Sequence, residues 1–268
     1  MRGRGADMEN ALEIENLVVH YETDDGIVKA VNGLEIYLEK GKTLGLVGET
    51  GAGKTTAALA IMRLIHKTPV VIRSGSIRLH VADLIAYSDQ HMEKVRGSVV
   101  SMVFQDPMTS LDPVMTVGEQ IAEVFLTHEK VTRADALKKA EAMLEKVGIS
   151  GNRAKEYPHQ FSGGMKQRVV IAMALACNPL LLIADEPTTA LDVTIQAQVL
   201  TLMKQLKTLY NMSMIMITHD LGIVAEICDE VSVMYAGQVV EHVTLDDIFE
   251  DPRHPYTEGL FQSLPDIA

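Results

Sequence analysis

A glycine-rich turn followed by a lysine and two threonines is the strongest chemical signal in the chain, GETGAGKTT at residues 48–56. Glycine lets backbone N–H groups turn inward around phosphate oxygens, where a Cβ would obstruct them. Lys54 is placed to reach the β- and γ-phosphates, and the Thr55 hydroxyl to ligate Mg²⁺. Residues 42–47 before the turn have strand character, and the residues after it have helical spacing. This strand, glycine turn and helix predict a nucleotide site. The predicted binding residues are Gly48, Glu49, Thr50, Gly51, Ala52, Gly53, Lys54, Thr55 and Thr56.

Two adjacent acids, Asp185 and Glu186, follow a continuous apolar run at residues 180–184. Such a run is typical of a strand buried on both faces of a parallel sheet. An acid at the end of such a strand usually holds Mg²⁺ in phosphate-loop ATPases, so Asp185 is the predicted metal ligand. We predict that Glu186, at the strand end, acts as general base on the attacking water.

A second glycine pair occurs in FSGGMKQR at residues 161–168. Ser162 stands where a helix N-cap belongs, and Gly163 and Gly164 present N–H groups at the positive end of the helix. This is the composition of a helix start that holds a phosphate. The following helix is expected to bury Val169, Val170, Met173 and Cys177.

Bulk composition narrows the class of protein. The 268 residues are 47% hydrophobic and 22% charged, which is ample for a sizeable core. The net charge of −12 argues against a general nucleic-acid-binding surface. The two cysteines have no metal-type spacing and are expected to be reduced and buried. The longest apolar run, residues 169–177, is about half a membrane span, so we expect a cytoplasmic chain whose membrane role comes through partners.

Capping signals predict the helices that position these turns. The stretch between residues 105 and 162 is strongly helical, with a capping box at residues 116–119. Thr132 is predicted to cap a second helix that stops at Gly148. Asp192 is predicted to cap a helix at residues 193–209.

Six motifs in order make the chain resemble the nucleotide-binding domain of ABC transporters over about residues 12–264. They are the Walker A loop at 48–55, the Q-loop at Gln105, the signature at 161–165, Walker B at 180–186, the D-loop at 189–192 and the switch histidine His219. QDPMTSLDP at 105–113 and the tail DPRHPYTEGL at 251–260 give a narrower resemblance to the oligopeptide/dipeptide importer ATPases, a group with nickel and glutathione relatives.

The resemblance implies an α/β fold. Its parts are a phosphate-loop NTPase core with a mostly parallel sheet, an antiparallel β subdomain on the N-terminal side and an inserted α-helical subdomain. Residues 1–10 are expected to be disordered or tag-like, and residues 11–268 to form a single ABC ATPase domain. The helical insertion is expected at about 106–165, and the family tail at about 244–268.

The resemblance also assigns roles. It implies that Glu186, His219, Gln105 and Lys54 are catalytic, that Thr55, Gln105 and Asp185 hold Mg²⁺, and that Tyr21 stacks on the adenine of ATP. It implies that Ser162, Gly163 and Gly164 close over the ATP bound by a second subunit.

The implied function is the ATP-hydrolysing subunit of an importer for a peptide-like solute, peripheral on the cytoplasmic face of the membrane. Its implied partners are a second cassette (a copy or a paralogue), two permease subunits and, indirectly, an extracytoplasmic solute-binding protein. No nucleic acid is expected, and the sequence leaves the solute open.

Three positions depart from the family pattern. Met165 replaces a glutamine of the signature, so the phosphate role falls on Ser162 and the glycine amides. Thr189 replaces a serine at the start of the D-loop. Val81 replaces a turn glycine, and because a β-branched residue tolerates positive φ badly, that hairpin is expected to turn differently.

The alternative function is a cassette ATPase of a non-transport complex, such as an accessory protein of carbon–phosphorus lyase. A non-enzymatic module is disfavoured because Lys54, Asp185, Glu186 and His219 are all present.

Overall fold

A computed structural model describes residues 10–65, 70–80, 82–189 and 191–262, with backbone alone for Val70 and Met108. The expectations for residues 1–9, Val81 and residues 263–268 lie outside the described residues, and Asn10 begins the first strand. Contacts divide the chain into two compact units, Met1–Ser88 with Ser213–Ala268, and Asp89–Met212. The expected domain boundaries stay predictions.

The described elements follow in chain order. The strands are β1 (Asn10–Thr23), β2 (Gly26–Glu39), β3 (Thr43–Val47), β4 (Val70–Leu79), β5 (Ala82–Asp83), β6 (Val100–Val103), β7 (Leu181–Asp185), β8 (Ser213–Ile217), β9 (Glu230–Tyr235) and β10 (Gln238–Thr244). The helices are α1 (Lys54–Ile61), α2 (Asp89–Val95), α3 (Pro107–Ser110), α4 (Val117–His128), α5 (Arg133–Lys146), α6 (Gly163–Leu175), α7 (Val193–Tyr210), α8 (Leu221–Ile227), α9 (Leu245–Glu250) and α10 (Pro255–Gln262). Short 3₁₀ helices lie at Leu84–Ala86, Gly151–Lys155 and Pro158–Gln160.

The first unit contains an antiparallel sheet and a group of mainly parallel strands. The antiparallel sheet has the order β2-β1-β4-β5, which confirms the antiparallel portion near the N-terminus. In the second group β3 pairs in parallel with β8 and β9, and β10 pairs antiparallel with β9. All five residues of β3 are buried, as expected for a strand of a parallel sheet that is covered on both faces. At the β4–β5 turn, His80 takes φ 54, a left-handed conformation that histidine tolerates better than a β-branched residue does.

The second unit is mainly helical. Its strands β6 and β7 are parallel to each other and wholly buried. Thr116 and Glu119 form the predicted capping box of α4, and Thr132 caps α5. After α5, Gly148 takes φ 76, and the N–H of the next residue bonds back into the helix, so the predicted stop is confirmed.

The predicted burial along α6 is partly wrong. Val169 and Val170 are buried, but Met173 and Cys177 are only half-buried. The other buried apolar residues of the helix are Ile171, Ala172, Ala174 and Leu175. Because α6 packs against β6, α4, α5 and α7, it is enclosed on several sides, and a single apolar stripe does not describe it. Of the two cysteines, Cys228 is buried as expected.

Among the described residues, no helix combines the length and the apolar character that crossing a bilayer requires.

Candidate functional site

The backbone of the turn at residues 48–53, called the phosphate loop below, requires glycine for two reasons. Gly48, Gly51 and Gly53 have φ of 149°, 85° and 102°, which side chains rarely adopt. In addition, a Cβ at Gly48 would lie 2.2 Å from the Met234 carbonyl oxygen, and one at Gly53 would lie 2.2 Å from that of Ala30. The loop is therefore shaped both by its own torsions and by the backbone of β9 and β2.

Lys54 folds back into this loop. Its side chain is only 7% exposed, and its Nζ donates to the carbonyl oxygens of Gly48 at 2.6 Å and Glu49 at 2.9 Å. Thr55, the next residue of α1, is exposed at the helix start, and the first turn carries no acidic residue. The loop thus presents an ammonium group, a hydroxyl and the positive end of a helix, all of which favour an anion.

Tyr21 lies in β1 and contacts the same helix start. Its Oη and the Thr56 Oγ1 share a hydrogen bond of 3.0 Å, and the side chain is half-buried. This bond fixes the ring beside the helix that follows the phosphate loop. A ring in this place suits the stacking role on adenine, which stays a prediction.

His219 follows β8 and is exposed. Since β8 is parallel to β3, the carboxyl ends of the two strands meet at one edge, where ligands bind in such sheets. Asp220, the next residue, caps α8 by accepting from the Gly222 N–H at 2.8 Å. His219 is therefore held by a strand end on one side and a capped helix on the other.

The two acids of the second unit differ in environment. Asp185 is the last residue of β7 and is only 5% exposed, whereas Glu186 leaves the strand with φ 45. A left-handed conformation costs a residue other than glycine about 1–2 kcal/mol, so the surrounding contacts must hold it. Gln105 Nε2 donates to Glu186 Oε2 at 2.8 Å, and Thr189 Oγ1 donates to the same oxygen at 3.0 Å. The structure therefore brings Gln105 and Glu186, two of the residues predicted from sequence, into direct contact.

The signature turn, residues 161–165, is a capped helix start. The Met165 N–H donates to Ser162 Oγ at 3.4 Å, which confirms Ser162 as the N-cap of α6. Ser162 and Gly163 are exposed, and the first turn carries no acidic residue.

Close packing also requires glycine at position 164, which the sequence did not suggest. It is buried, and a Cβ at this position would lie 2.4 Å from Ile195 Cγ2 on α7. Asp192 caps α7 as predicted, because its Oδ1 accepts from the Ile195 N–H at 2.9 Å. Arg153 Nη1 donates to the Met165 Sδ at 3.3 Å, so the methionine of the signature turn contacts a residue of its own unit.

Comparison with protein families decides which class the chain is in. Residues 31–189, more than half of the chain, match the ABC transporter family. The chain belongs to the ABC transporter family. Membership makes the chain an ATPase of the cassette type. Residues 240–268 also match the C-terminal region of oligopeptide/dipeptide transporters. The family resemblance predicted from the motifs is confirmed.

Relatives of known name agree with both matches. The oligopeptide transport ATP-binding protein OppD of Bacillus subtilis is 54% identical over 258 residues, which cover 96% of this chain and 72% of OppD. The dipeptide transport ATP-binding protein DppD of the same organism is 51% identical over 260 residues, which cover 96% of this chain and 78% of DppD.

Solved structures confirm the predicted α/β cassette fold. The ATP-binding cassette MJ0796, as a dimer in a post-hydrolysis state bound to ADP and Pi, matches with a TM-score of 0.78 and 25% identity. This match covers 87% of this chain and 98% of that one. The cbiO1 protein of Clostridium perfringens, part of the ABC transporter complex cbiONQ, matches with a TM-score of 0.77 and 27% identity. Here the coverage is 95% of this chain and 99% of that one.

The sequence did not predict one contact of the phosphate loop. The Glu49 N–H donates to the hydroxyl of Tyr256 at 3.0 Å, and Tyr256 lies on α10 in the C-terminal tail. The sequence signalled this tyrosine only as part of a family marker, residues 253–257, without indicating what it touches.

Proposed function

We propose that the chain is the ATP-hydrolysing subunit of an ABC importer for peptide-like solutes. The observation that carries the proposal is the phosphate loop, in which Lys54 is buried inside a glycine turn at the start of a helix. The oligopeptide/dipeptide match of residues 240–268 favours a peptide importer over a cassette of a non-transport complex, such as a carbon–phosphorus lyase accessory protein.

In the proposed site, the phosphate loop binds the phosphates of ATP. Its glycines leave the backbone N–H groups accessible, and Lys54 shares its ammonium donors with the β- and γ-phosphate oxygens. The Tyr21 ring supports the adenine, and Thr56 fixes the ring through its hydroxyl. His219 contacts the γ-phosphate from the adjacent strand end.

Mg²⁺ fits the oxygen donors that the family assigns to it. An exposed hydroxyl (Thr55), an amide oxygen (Gln105) and a buried carboxylate (Asp185) are hard ligands, and Mg²⁺ usually takes one or two carboxylates with water and phosphate oxygens. When bound, the ion neutralises phosphate charge.

Glu186 is the proposed general base. Its Oε2 accepts bonds from Gln105 and Thr189, which orient the carboxylate and occupy part of its capacity to accept. Hydrolysis then requires a Glu186 lone pair to accept the proton of the attacking water. By donating to Glu186 or releasing it, Gln105 and Thr189 control whether the carboxylate can accept that proton.

A second cassette, a copy of this chain or a paralogue, completes each site. The support is the exposed start of α6, where Ser162 and Gly163 are accessible and the first turn carries no acidic residue that would repel an anion. We propose that these groups close over the γ-phosphate bound by the partner. The pair then acts on two permease subunits at the cytoplasmic face of the membrane, and indirectly on an extracytoplasmic solute-binding protein.

The variant Glu186→Gln tests the proposed mechanism. It keeps the shape of the side chain and removes the base, so turnover should fall by about 100-fold or more while ATP binding persists. Steady-state phosphate release and nucleotide titration measure the two effects. Glu226→Gln, an exposed glutamate of α8, is the matched control and should leave turnover unchanged. Near-normal turnover in Glu186→Gln would refute the assignment.

A further inference from the structure

The tail residue Tyr256 contacts the phosphate loop directly. Both lie in the first compact unit, and the Tyr256 hydroxyl accepts the Glu49 N–H at 3.0 Å. Glu49 is the second residue of the loop, immediately before the residues that turn around the phosphates. A side chain from residues 253–257 is therefore part of the loop's own hydrogen bonding.

The peptide group between Gly48 and Glu49 is bonded at both of its ends. Its carbonyl oxygen accepts from Lys54 Nζ at 2.6 Å, and its N–H donates to Tyr256. In a trans peptide the C=O and N–H point in opposite directions, so these two bonds fix the plane of the group from both sides. The orientation of this peptide, together with the Glu49 carbonyl oxygen at 2.9 Å, sets where the Lys54 ammonium is held.

Tyr256 is itself fixed in place. Its ring packs on Tyr235, with ring centroids 4.5 Å apart, and its N–H donates to His254 Nδ1 at 3.2 Å. The later half of the phosphate loop is bound by the turn between β9 and β10, because the Gly237 N–H donates to the Ala52 carbonyl oxygen at 3.0 Å. The turn between β9 and β10 and the tail thus hold the loop together.

Glu241 of β10 anchors the start of α10. Its carboxylate accepts the N–H groups of Arg253 at 2.8 Å and His254 at 3.1 Å, one on each oxygen. Burial would raise the pKa of this carboxyl, but these two backbone donors help to hold the pKa below its ordinary value. The ionised form is thus the one that the fold uses to place Tyr256.

We propose that Tyr256 is a positioning residue for nucleotide binding, which acts by holding the Gly48–Glu49 peptide and, through it, Lys54. The inference rests on the proposed role of the phosphate loop. Its consequence is that nucleotide affinity depends on the C-terminal segment that marks the peptide importer group. Tyr256 acts through the loop and is not itself a catalytic residue.

The variant Tyr256→Phe removes the hydroxyl and keeps the ring that packs on Tyr235. The dissociation constant for a fluorescent ATP analogue should rise about 2- to 10-fold, the worth of one hydrogen bond. Turnover at saturating ATP should fall by a smaller factor than the affinity does, because Glu186 and its partners Gln105 and Thr189 are untouched. Tyr235→Phe is the matched control: the Tyr235 hydroxyl bonds to no residue that the structure describes, so affinity should not change.

Two results would overturn the inference. One is an unchanged dissociation constant in Tyr256→Phe, whether or not its thermal stability falls, and the other is an equal rise of the dissociation constant in Tyr235→Phe. Lys54→Ala separates this inference from the proposed function. If Lys54→Ala loses binding while Tyr256→Phe binds normally, only the role of Tyr256 falls. If Lys54→Ala binds as tightly as the wild type, the role of the loop falls and this inference falls with it.

Discussion

The phosphate loop and the signature turn are both glycine-rich segments that lead into a helix, yet they use glycine differently. In the phosphate loop, Gly48 and Gly53 have positive φ and lie against carbonyl oxygens of neighbouring strands. In the signature turn, Gly163 is helical and open, with the nearest side-chain atom 3.7 Å from its Cβ position. Gly164 is helical and packed against Ile195.

The two turns also differ in the charge that they carry. The phosphate loop holds its own cation, since Lys54 is buried within it, and its shape is fixed by contacts inside one compact unit. The signature turn ends in an ordinary serine cap with an exposed helix start. The phosphate loop is thus a preformed cradle for an anion, whereas the signature turn is, in our proposal, a surface that completes the site of a partner.

The largest difference in ATP affinity is expected between the variants Gly53→Ala and Gly163→Ala. At Gly53 an alanine would need φ near 102° and would place its Cβ 2.2 Å from the Ala30 carbonyl oxygen. The strain and the overlap together should weaken ATP binding by about 100-fold, as measured by titration with a fluorescent analogue.

Gly163→Ala is the matched change at the signature turn. Its Cβ has room, and alanine is the better helix former, so the chain should bind nucleotide with wild-type affinity. Equal losses of affinity in the two variants would show that glycine is no more necessary at position 53 than at position 163.

A smaller effect is expected from Ser162→Ala. Removal of the N-cap should lower the free energy of unfolding by about 1 kcal/mol. Separately, loss of the hydroxyl should lower turnover at saturating ATP by about 10-fold. Chemical denaturation and phosphate release measure the two effects.

Thr132→Ala provides the control, because Thr132 caps α5 in the same manner as Ser162 caps α6. It should cost a similar amount of stability and leave turnover intact. If the two cap variants lost turnover to the same degree, the effect of Ser162→Ala would be one of stability alone.

Local features were predictable from the sequence because local patterns determine them. The strand, turn and helix around Lys54 follow from residue types within a short window, as do the caps at Thr116, Thr132, Ser162 and Asp192. Each cap is a contact between residues three apart along the chain, so the pattern contains both partners.

Contacts between distant parts of the chain were not predictable in the same way. Gln105 and Glu186 are 81 residues apart, and Glu49 and Tyr256 are 207 apart. No local pattern contains both partners, and their contact depends on which strands become neighbours. The positive φ of Glu186 also had no sequence signal, since it is neither glycine nor asparagine. Motifs therefore identified the candidate residues, while the structure supplied the contacts that hold them.

Mixing two inactive variants tests most directly the claim that the signature turn serves a neighbouring subunit. Lys54→Ala disables the phosphate loop, and Ser162→Asp keeps an N-cap residue while placing a negative charge against the γ-phosphate. Each variant alone should be inactive under conditions where the wild-type chain hydrolyses ATP. In a mixed dimer one composite site is intact, so the mixture should regain ATPase activity. A mixture as inactive as its components would contradict the account.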